Sequence, residues 1–353
     1  MKTIKFLTTM MLTISFMITG GNLMAQKTIE KVLAEKQFKV VDNATLQIDH
    51  KYGKIVCKNH DLNTIYIKVT ASLETKAQDK AEQIFERIDL SITGDELKVK
   101  VNCELSDKIV SKNDNLTVDI EIFLPQTINL EINQMFGNTY IENASGRVSV
   151  NNRYGSFQAN EMVNSDNDIK VSFGNATIGA IEGGVTKISY GDLTIKKAGH
   201  IELAAEYSNT RVTEALSILA QNEGGSLKIG TIDICVLNSK FSDNEVGTLN
   251  QSIKAKSEYG SLKVENIAAS FSSVDLTNSF GSSTLVFDNK AGFNLEAEMS
   301  FCDLKYPENK ANLSEKVTTA FKSNYKGKLG SAVNPGASVF IKSSYGNVDI
   351  KFE

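Results

Sequence analysis

A reactive centre in this 353-residue chain would have to draw on three histidines, four cysteines and scattered carboxylates. His50, His60 and His200 lie far apart, and His50 stands two residues before Tyr52, where comparable segments carry Gln134 or Asn152. That placement reads as a structural histidine. No G-x-S-x-G turn offers a serine nucleophile. No C-x-x-C is present, so zinc and dithiol chemistry lack their usual spacing. Cys57, Cys103 and Cys235 are in phase with apolar neighbours, as small core residues are. Cys302 stands where glycine recurs elsewhere. Four cysteines in an exported chain allow three full pairings; Cys57–Cys103 is the pair worth testing, since both lie in the N-terminal region. Asp166-Asn167-Asp168 and Asp243-Asn244-Glu245 match neither an EF-hand loop nor a G-G-x-G-x-D repeat, so they read as solvated turns. No catalytic residue, metal ligand or cofactor is assigned, and the expectation is a protein that is not an enzyme.

Composition narrows the classes further. Apolar residues at 41% and charged residues at 23% fit a folded chain rather than a disordered one. A formal net charge of −4 without a basic patch argues against nucleic acid and anionic membranes as partners. Polysaccharide cleavage is the enzyme class to weigh, but short repeat units leave no walls for a cleft, and arginines to hold an anionic sugar are few: Arg87, Arg147, Arg153 and Arg211.

The elements that would position any site repeat along the chain. An aromatic followed by glycine occurs at Tyr52, Phe136, Tyr154, Phe173, Tyr190, Tyr259, Phe280 and Tyr345. Weaker copies are Tyr207-Ser208, Phe241-Ser242, Phe301-Cys302 and Tyr325-Lys326, and Gly224-Gly225 fills the place between 207 and 241. From Phe136 onward the steps are 17 to 24 residues, the mark of a repeat architecture. Counting from the aromatic, apolar residues fall at −6, −4, +3, +5 and often +8, as with Leu193, Ile195 and Ala198 after Tyr190. Offsets of two are strand periodicity with one face inward. Position −2 shares that parity yet is often polar: Asn152, Ser239, Ser257, Asn278, Ser343. Aligned polar side chains there would form an internal hydrogen-bonded ladder. The glycine would serve a corner by adopting positive φ or by leaving room for the neighbouring unit. The predicted fold is all-β, a parallel β-solenoid of 17–21-residue coils; at ~4.8 Å per coil the stack would run roughly 60 Å.

The N-terminal part departs from this grammar. Residues 1–25 have the form of a signal peptide: Lys2 and Lys5, an apolar run over 6–18, and Leu23-Met24-Ala25 before Gln26. No later run is apolar enough to span a bilayer. Residues 26–130 are expected to hold one early unit around Tyr52 plus a helix-containing cap or insert. The helix is placed at about 76–88 on the stripe Ala77, Ala81, Ile84, Phe85 and Ile88. Two alternating segments follow, Leu97-Val99-Val101-Cys103 and Leu116-Val118-Ile120. Residues 131–353 would be the solenoid, with surplus length around 288–294, 306–316 and 331–336 where recognition could sit.

The leader, the lone early unit, the helix insertion and the Tyr/Phe-Gly-x-apolar-x-apolar units together resemble the Bacteroidetes-type "putative adhesin" family, related to the head domains named for autotransporter adhesins. The resemblance spans about 40–353. It implies a right-handed β-helix-like solenoid with a non-enzymatic role in the cell envelope or at the surface, and it carries over no functional residues. The expected partner is an envelope protein, a host surface or a glycan, bound after export to the periplasm or cell surface. The alternatives are a periplasmic structural or stress-linked component without external ligand and a carbohydrate-active β-helix enzyme. Far-UV circular dichroism of the chain should be dominated by β signal with a minor helical part; a majority-helical spectrum would contradict the fold.

Overall fold

A computed structural model describes residues 27–75, 77–105, 115–331 and 335–353. The leader assigned to residues 1–25 lies outside the described residues. Among these the chain is nearly all strand, joined in one 24-stranded mixed sheet. One α-helix, Gln78–Phe85, and one 3-10 turn, Glu308–Lys310, complete the regular elements. No helix in the described residues is long and apolar enough to cross a membrane.

The repeat unit is two strands meeting at an aromatic corner. In one unit, Val148–Arg153 leads to Tyr154-Gly155 and on to Phe157–Met162. Val148, Val150, Phe157, Ala159 and Met162 are buried, as the offsets −6, −4, +3, +5 and +8 require. Each strand pairs in parallel with its counterparts one unit before and after: Val150 stands opposite both Ile132 and Ile169. The same register carries Ile178 onto Ile195 and Ile195 onto Val212. Like residues therefore stack on like, and each inward column forms a strip of core.

The corner corrects one part of the sequence expectation. Positive φ belongs to the aromatic, not to the glycine after it: Tyr154, Phe173, Tyr190 and Tyr259 have φ of 58°, 56°, 55° and 55°. Left-handed backbone costs a bulky residue roughly 1–2 kcal/mol. The glycine serves crowding instead. A Cβ on Gly191 would lie 2.0 Å from the Gly174 carbonyl oxygen, and one on Gly174 equally close to that of Gly155. Meanwhile each aromatic N–H reaches the next unit, with Tyr190 N donating to Glu206 O at 3.1 Å and Tyr207 N to Glu223 O at 2.8 Å. Corner thus stacks on corner.

Both ends break the parallel pattern. The early unit, Thr45–Lys51 with Ile55–Asn59, pairs directly with Asn129–Met135 and Thr139–Ala144, so the intervening chain folds beyond its other side. There Lys98–Glu104 continues the parallel stack, while Asp89–Gly94, Thr64–Thr75 and Lys27–Lys39 add antiparallel pairs. The helix is shorter than the stripe predicted; it buries Ala81, Ile84 and Phe85, and Ala77 becomes its N-cap. Val99, Val101 and Cys103 point inward, but Leu97 sits in the preceding turn and is exposed.

At the C-terminal end, order in space departs from order in sequence. Ala337–Ser344 inserts between Ser273–Ser279 and Gly292–Ser300, parallel to both. Lys322–Gly330 runs antiparallel to Gly292–Ser300 and to the edge strand Ala311–Thr318. Tyr325 therefore marks no parallel unit; it is buried in this hairpin. The edge strand alternates poorly and exposes Glu315 and Lys316, which discourages pairing with another chain.

Gly191→Val should lower stability by a few kcal/mol, because the crowding atom is a neighbouring backbone carbonyl that cannot step aside. Urea unfolding monitored by circular dichroism measures it; an unchanged midpoint would contradict this account of the corner.

Candidate functional site

Left-handed corners throw every aromatic outward, one above another. Tyr52, Phe136, Tyr154, Phe173, Tyr190 and Tyr207 form one stack of rings. Phe241, Tyr259, Phe280, Tyr345 and Phe301 form a second, continuing the same column. Neighbouring centroids are 4.8 to 5.3 Å apart and the rings lie within 1° to 15° of parallel. Phe321 closes the end, tilted by 38° against Phe301. Each parallel contact contributes about 0.5–1.5 kcal/mol, enough to offset the left-handed backbone. Faces are covered by neighbours and edges meet water, so the rings stay about half exposed: 41% for Phe136, 53% for Tyr345. An ordered apolar stripe along one outer edge is the chain's most distinctive surface. Periodicity revealed these residues as corner markers but not as a contact surface; the outward direction follows only from their φ.

Behind the stripe runs the polar column at −2, and its main acceptors are the corner carbonyls. Asn152 Nδ2 donates to Gly155 O at 2.7 Å, Asn278 Nδ2 to Gly281 O at 2.6 Å, and Gln134 Nε2 to Gly53 O at 2.6 Å. Bonds along the stack, expected throughout, occur at Ser239–Ser257 and Asn278–Ser343. His50 is the odd member. It is buried beside a hollow of 460 Å³ lined by Asp49, Asn102, Gln134 and Arg153, and neither ring nitrogen has a hydrogen-bond partner of good geometry. Burial pushes its pKa down to about 4, with the Val118 backbone and the Asp119 charge opposing.

The remaining candidate residues are dispersed. All four cysteines are free thiols, so Cys57 and Cys103 are unpaired, and burial pushes Cys57, Cys103 and Cys235 up to about 12. His60 Nε2 meets Thr64 O at 2.8 Å. His200 Nδ1 meets Ser217 Oγ at 2.7 Å on an exposed strand face, where no carboxylate is bonded to its other nitrogen. The acidic turns are absorbed locally: Asp166 pairs with Arg147, Asp168 with Lys170, Glu245 with Lys228, and Asp243 accepts from Ser261. No group of three or more His, Cys, Asp or Glu among the described residues could hold a metal ion.

The surplus C-terminal segments shape a hollow of about 880 Å³ over the outer face of the terminal hairpin. Asn294, Glu296, Lys310, Asn312, Lys326 and Phe340 are among its lining residues. All three segments singled out in the sequence contribute to it, 288–294 through Asn294, 306–316 through Lys310 and Asn312, and 331–336 through Ser331, while 332–334 lie outside the described residues.

No family model matches the sequence, and no curated protein matches it. Solved structures do match across most of the chain. A "putative cell adhesion protein" from Clostridium sporogenes is 13% identical, covering 93% of this chain and 100% of its own, with a TM-score of 0.18. A "putative adhesin" from Bacteroides fragilis is 13% identical, with 92% and 98% covered and a TM-score of 0.24. A "putative lipid binding protein" from Parabacteroides distasonis is 10% identical, with 90% and 96% covered and a TM-score of 0.25. Spatial overlap is low, and the names divide between adhesion and lipid binding.

His50 sets a pH response. A base with a lower pKa folded than unfolded takes up its proton first in the unfolded state, so acidification favours unfolding. Its neutral form is fully accommodated above about 6.5 and that advantage is lost as pH falls toward 4. His50→Gln, the residue type that Gln134 supplies in the same column, should remove roughly 3 kcal/mol of that acid loss. Parallel denaturation curves of the two proteins across this range test it; equal slopes would contradict the buried neutral histidine.

Proposed function

We propose that this chain is an exported, non-catalytic parallel β-solenoid, adhesin-like in holding a partner by multipoint contact along one stripe. The observation that carries the reading is the exposed aromatic column. Its rings are held rigid by stacking, so little side-chain entropy is lost when they meet a partner. Phenyl edges carry positive potential and the tyrosines add hydroxyls, which suits a surface rich in carbonyl or hydroxyl oxygen, whether protein or glycan. Many weak contacts repeated along a stiff rod give avidity without a deep pocket. The parallel register of like units supports the solenoid, and the segment from Lys2 to Ala25 supports export.

The chemistry of the candidate residues supports the non-catalytic reading. Three thiols are held protonated by burial, His50 is held neutral in the core, and the His200–Ser217 contact has no acid orienting the imidazole.

A photoreactive residue at Arg153 or Asp192, beside the stripe, should give a discrete crosslinked partner in intact cells, whereas one at the distant exposed Glu214 should not. Adducts that fail to distinguish these positions would overturn the stripe as the binding face. Protease shaving of the same cells, with a periplasmic control protein, places the partner: cleavage of this chain alone puts it outside, and protection puts the partner in the periplasm.

A further inference from the structure

The aromatic column has one missing rung. Gly224 has φ of +66°, the same left-handed corner as Tyr207 and Phe241 at 47° and 52°, so the backbone of the rung is intact and only its ring is absent. Tyr207 and Phe241 stand two units apart, about 10 Å at the spacing of stacked strands. One planar group fits between them at the separation that the other rungs keep. Both rings are more exposed, at 58% and 62%, than Tyr190 and Tyr259 within the stacks, at 52% and 51%. At rest Tyr207 reclines over the bare backbone, its ring 2.8 Å from where a Gly224 Cβ would stand. Tyr207 nevertheless keeps rung spacing to Tyr190, at 5.3 Å and 13° from parallel.

Two carboxylates lie beside the gap, and Lys240, next in the same column, is held by Glu258. Glu206 and Glu223 immediately precede Tyr207 and Gly224, lie in register with each other and are exposed. Neither has an ion-pair partner among the described residues, although the next members of the same column, Lys240 and Glu258, pair with each other. Two stacked carboxylates next to a slot between ring faces call for a cation that is flat. A guanidinium is flat, stacks on aromatic faces and forks onto carboxylates, whereas an ammonium offers only a point charge.

We propose that the vacant rung at Gly224 binds an arginine side chain presented by a partner protein, its guanidinium between Tyr207 and Phe241 and its N–H groups on Glu206 and Glu223. This rests on the reading of the aromatic stripe as the binding face and names a partner chemistry for it.

NMR titration of the protein with acetyl-Gly-Arg-Gly-amide tests the proposal. The expected result is saturable binding with ring-current shifts on the guanidinium side chain, and markedly weaker binding of the lysine analogue. Glu206→Gln with Glu223→Gln should weaken the arginine peptide roughly tenfold or more, as loss of charge-assisted bonds does. Gly224→Tyr should fill the rung and abolish binding, while its circular dichroism and melting show a folded chain. Binding that survives Gly224→Tyr, or no binding to the unaltered protein, overturns the proposal. Equal binding of acetyl-Gly-Trp-Gly-amide, insensitive to the glutamine changes, overturns it in favour of a neutral ring. Crosslinks from Arg153 and Asp192 that persist through any such failure leave the stripe standing, so the two readings fail separately.

Discussion

The close approach of successive corners is the constraint on which this architecture depends. Each corner glycine has the carbonyl of the preceding corner where its own Cβ would be, at 2.0 Å for Gly155, Gly174 and Gly191. No side chain fits there, so the chain cannot widen the corner by placing bulk at its tip. The turn must be made one residue earlier, in the left-handed region, by a residue whose side chain then leaves the stack sideways. An isolated tyrosine in that conformation is strained. A tyrosine between two others recovers the strain through its faces, which makes the conformation a collective property of the column. The same approach turns corner carbonyls inward, where they need donors, and the polar residues at −2 supply them. A buried Asn152 at 0% exposure is therefore no flaw in an apolar core but part of the corner.

Where stacking ends, the constraint relaxes, and the residues register it. In the last rung glycine gives way to Cys302, whose Sγ lies 3.4 Å from Ser343 O. Ser208 and Ser242 also stand in the glycine position, on either side of the missing ring, and each hydroxyl donates back to the carbonyl two residues earlier, at 2.7 and 2.8 Å. An open stack also presents raw strand edges. Here the N-terminal end is covered by antiparallel strands and the helix, and the C-terminal end by a charged hairpin, which block continuation into a second copy.

Much of this was legible in the sequence because side-chain direction in a strand has a period of two. The inward columns, the core cysteines at 57, 103 and 235, and the structural character of His50 all follow from counting offsets. Three features did not. Periodicity locates a corner to within a residue but cannot say which residue has positive φ, and that decides whether the rings face in or out. Order in space departs from order in sequence at the end, since Tyr345 stacks on Phe280 and Phe301 on Tyr345. Glycine retention was the available signal: Phe280-Gly281 and Tyr345-Gly346 keep the glycine that close stacking demands, and Phe301-Cys302 does not. Tyr325 matched the aromatic spacing by coincidence within an antiparallel hairpin, where no corner exists.

Structure and recognition overlap in the rings, and the overlap explains why only one position separates them. Removing any stacked ring exposes two faces and leaves a strained corner, so within the column an aromatic is favoured whether or not anything binds to it. At Gly224 that argument runs the other way. The conformation is the one that the eleven aromatics of the two stacks tolerate at 47° to 62° with a ring in place. A ring at 224 would bridge the two stacks and cover the most exposed faces on either side. Glycine takes this left-handed backbone without the strain an aromatic bears there, but it offers no ring to either stack. The interruption falls beside Glu206 and Glu223, which have no ion-pair partner among the described residues, so the proposed guanidinium would supply the flat face and the positive charge that the rung lacks.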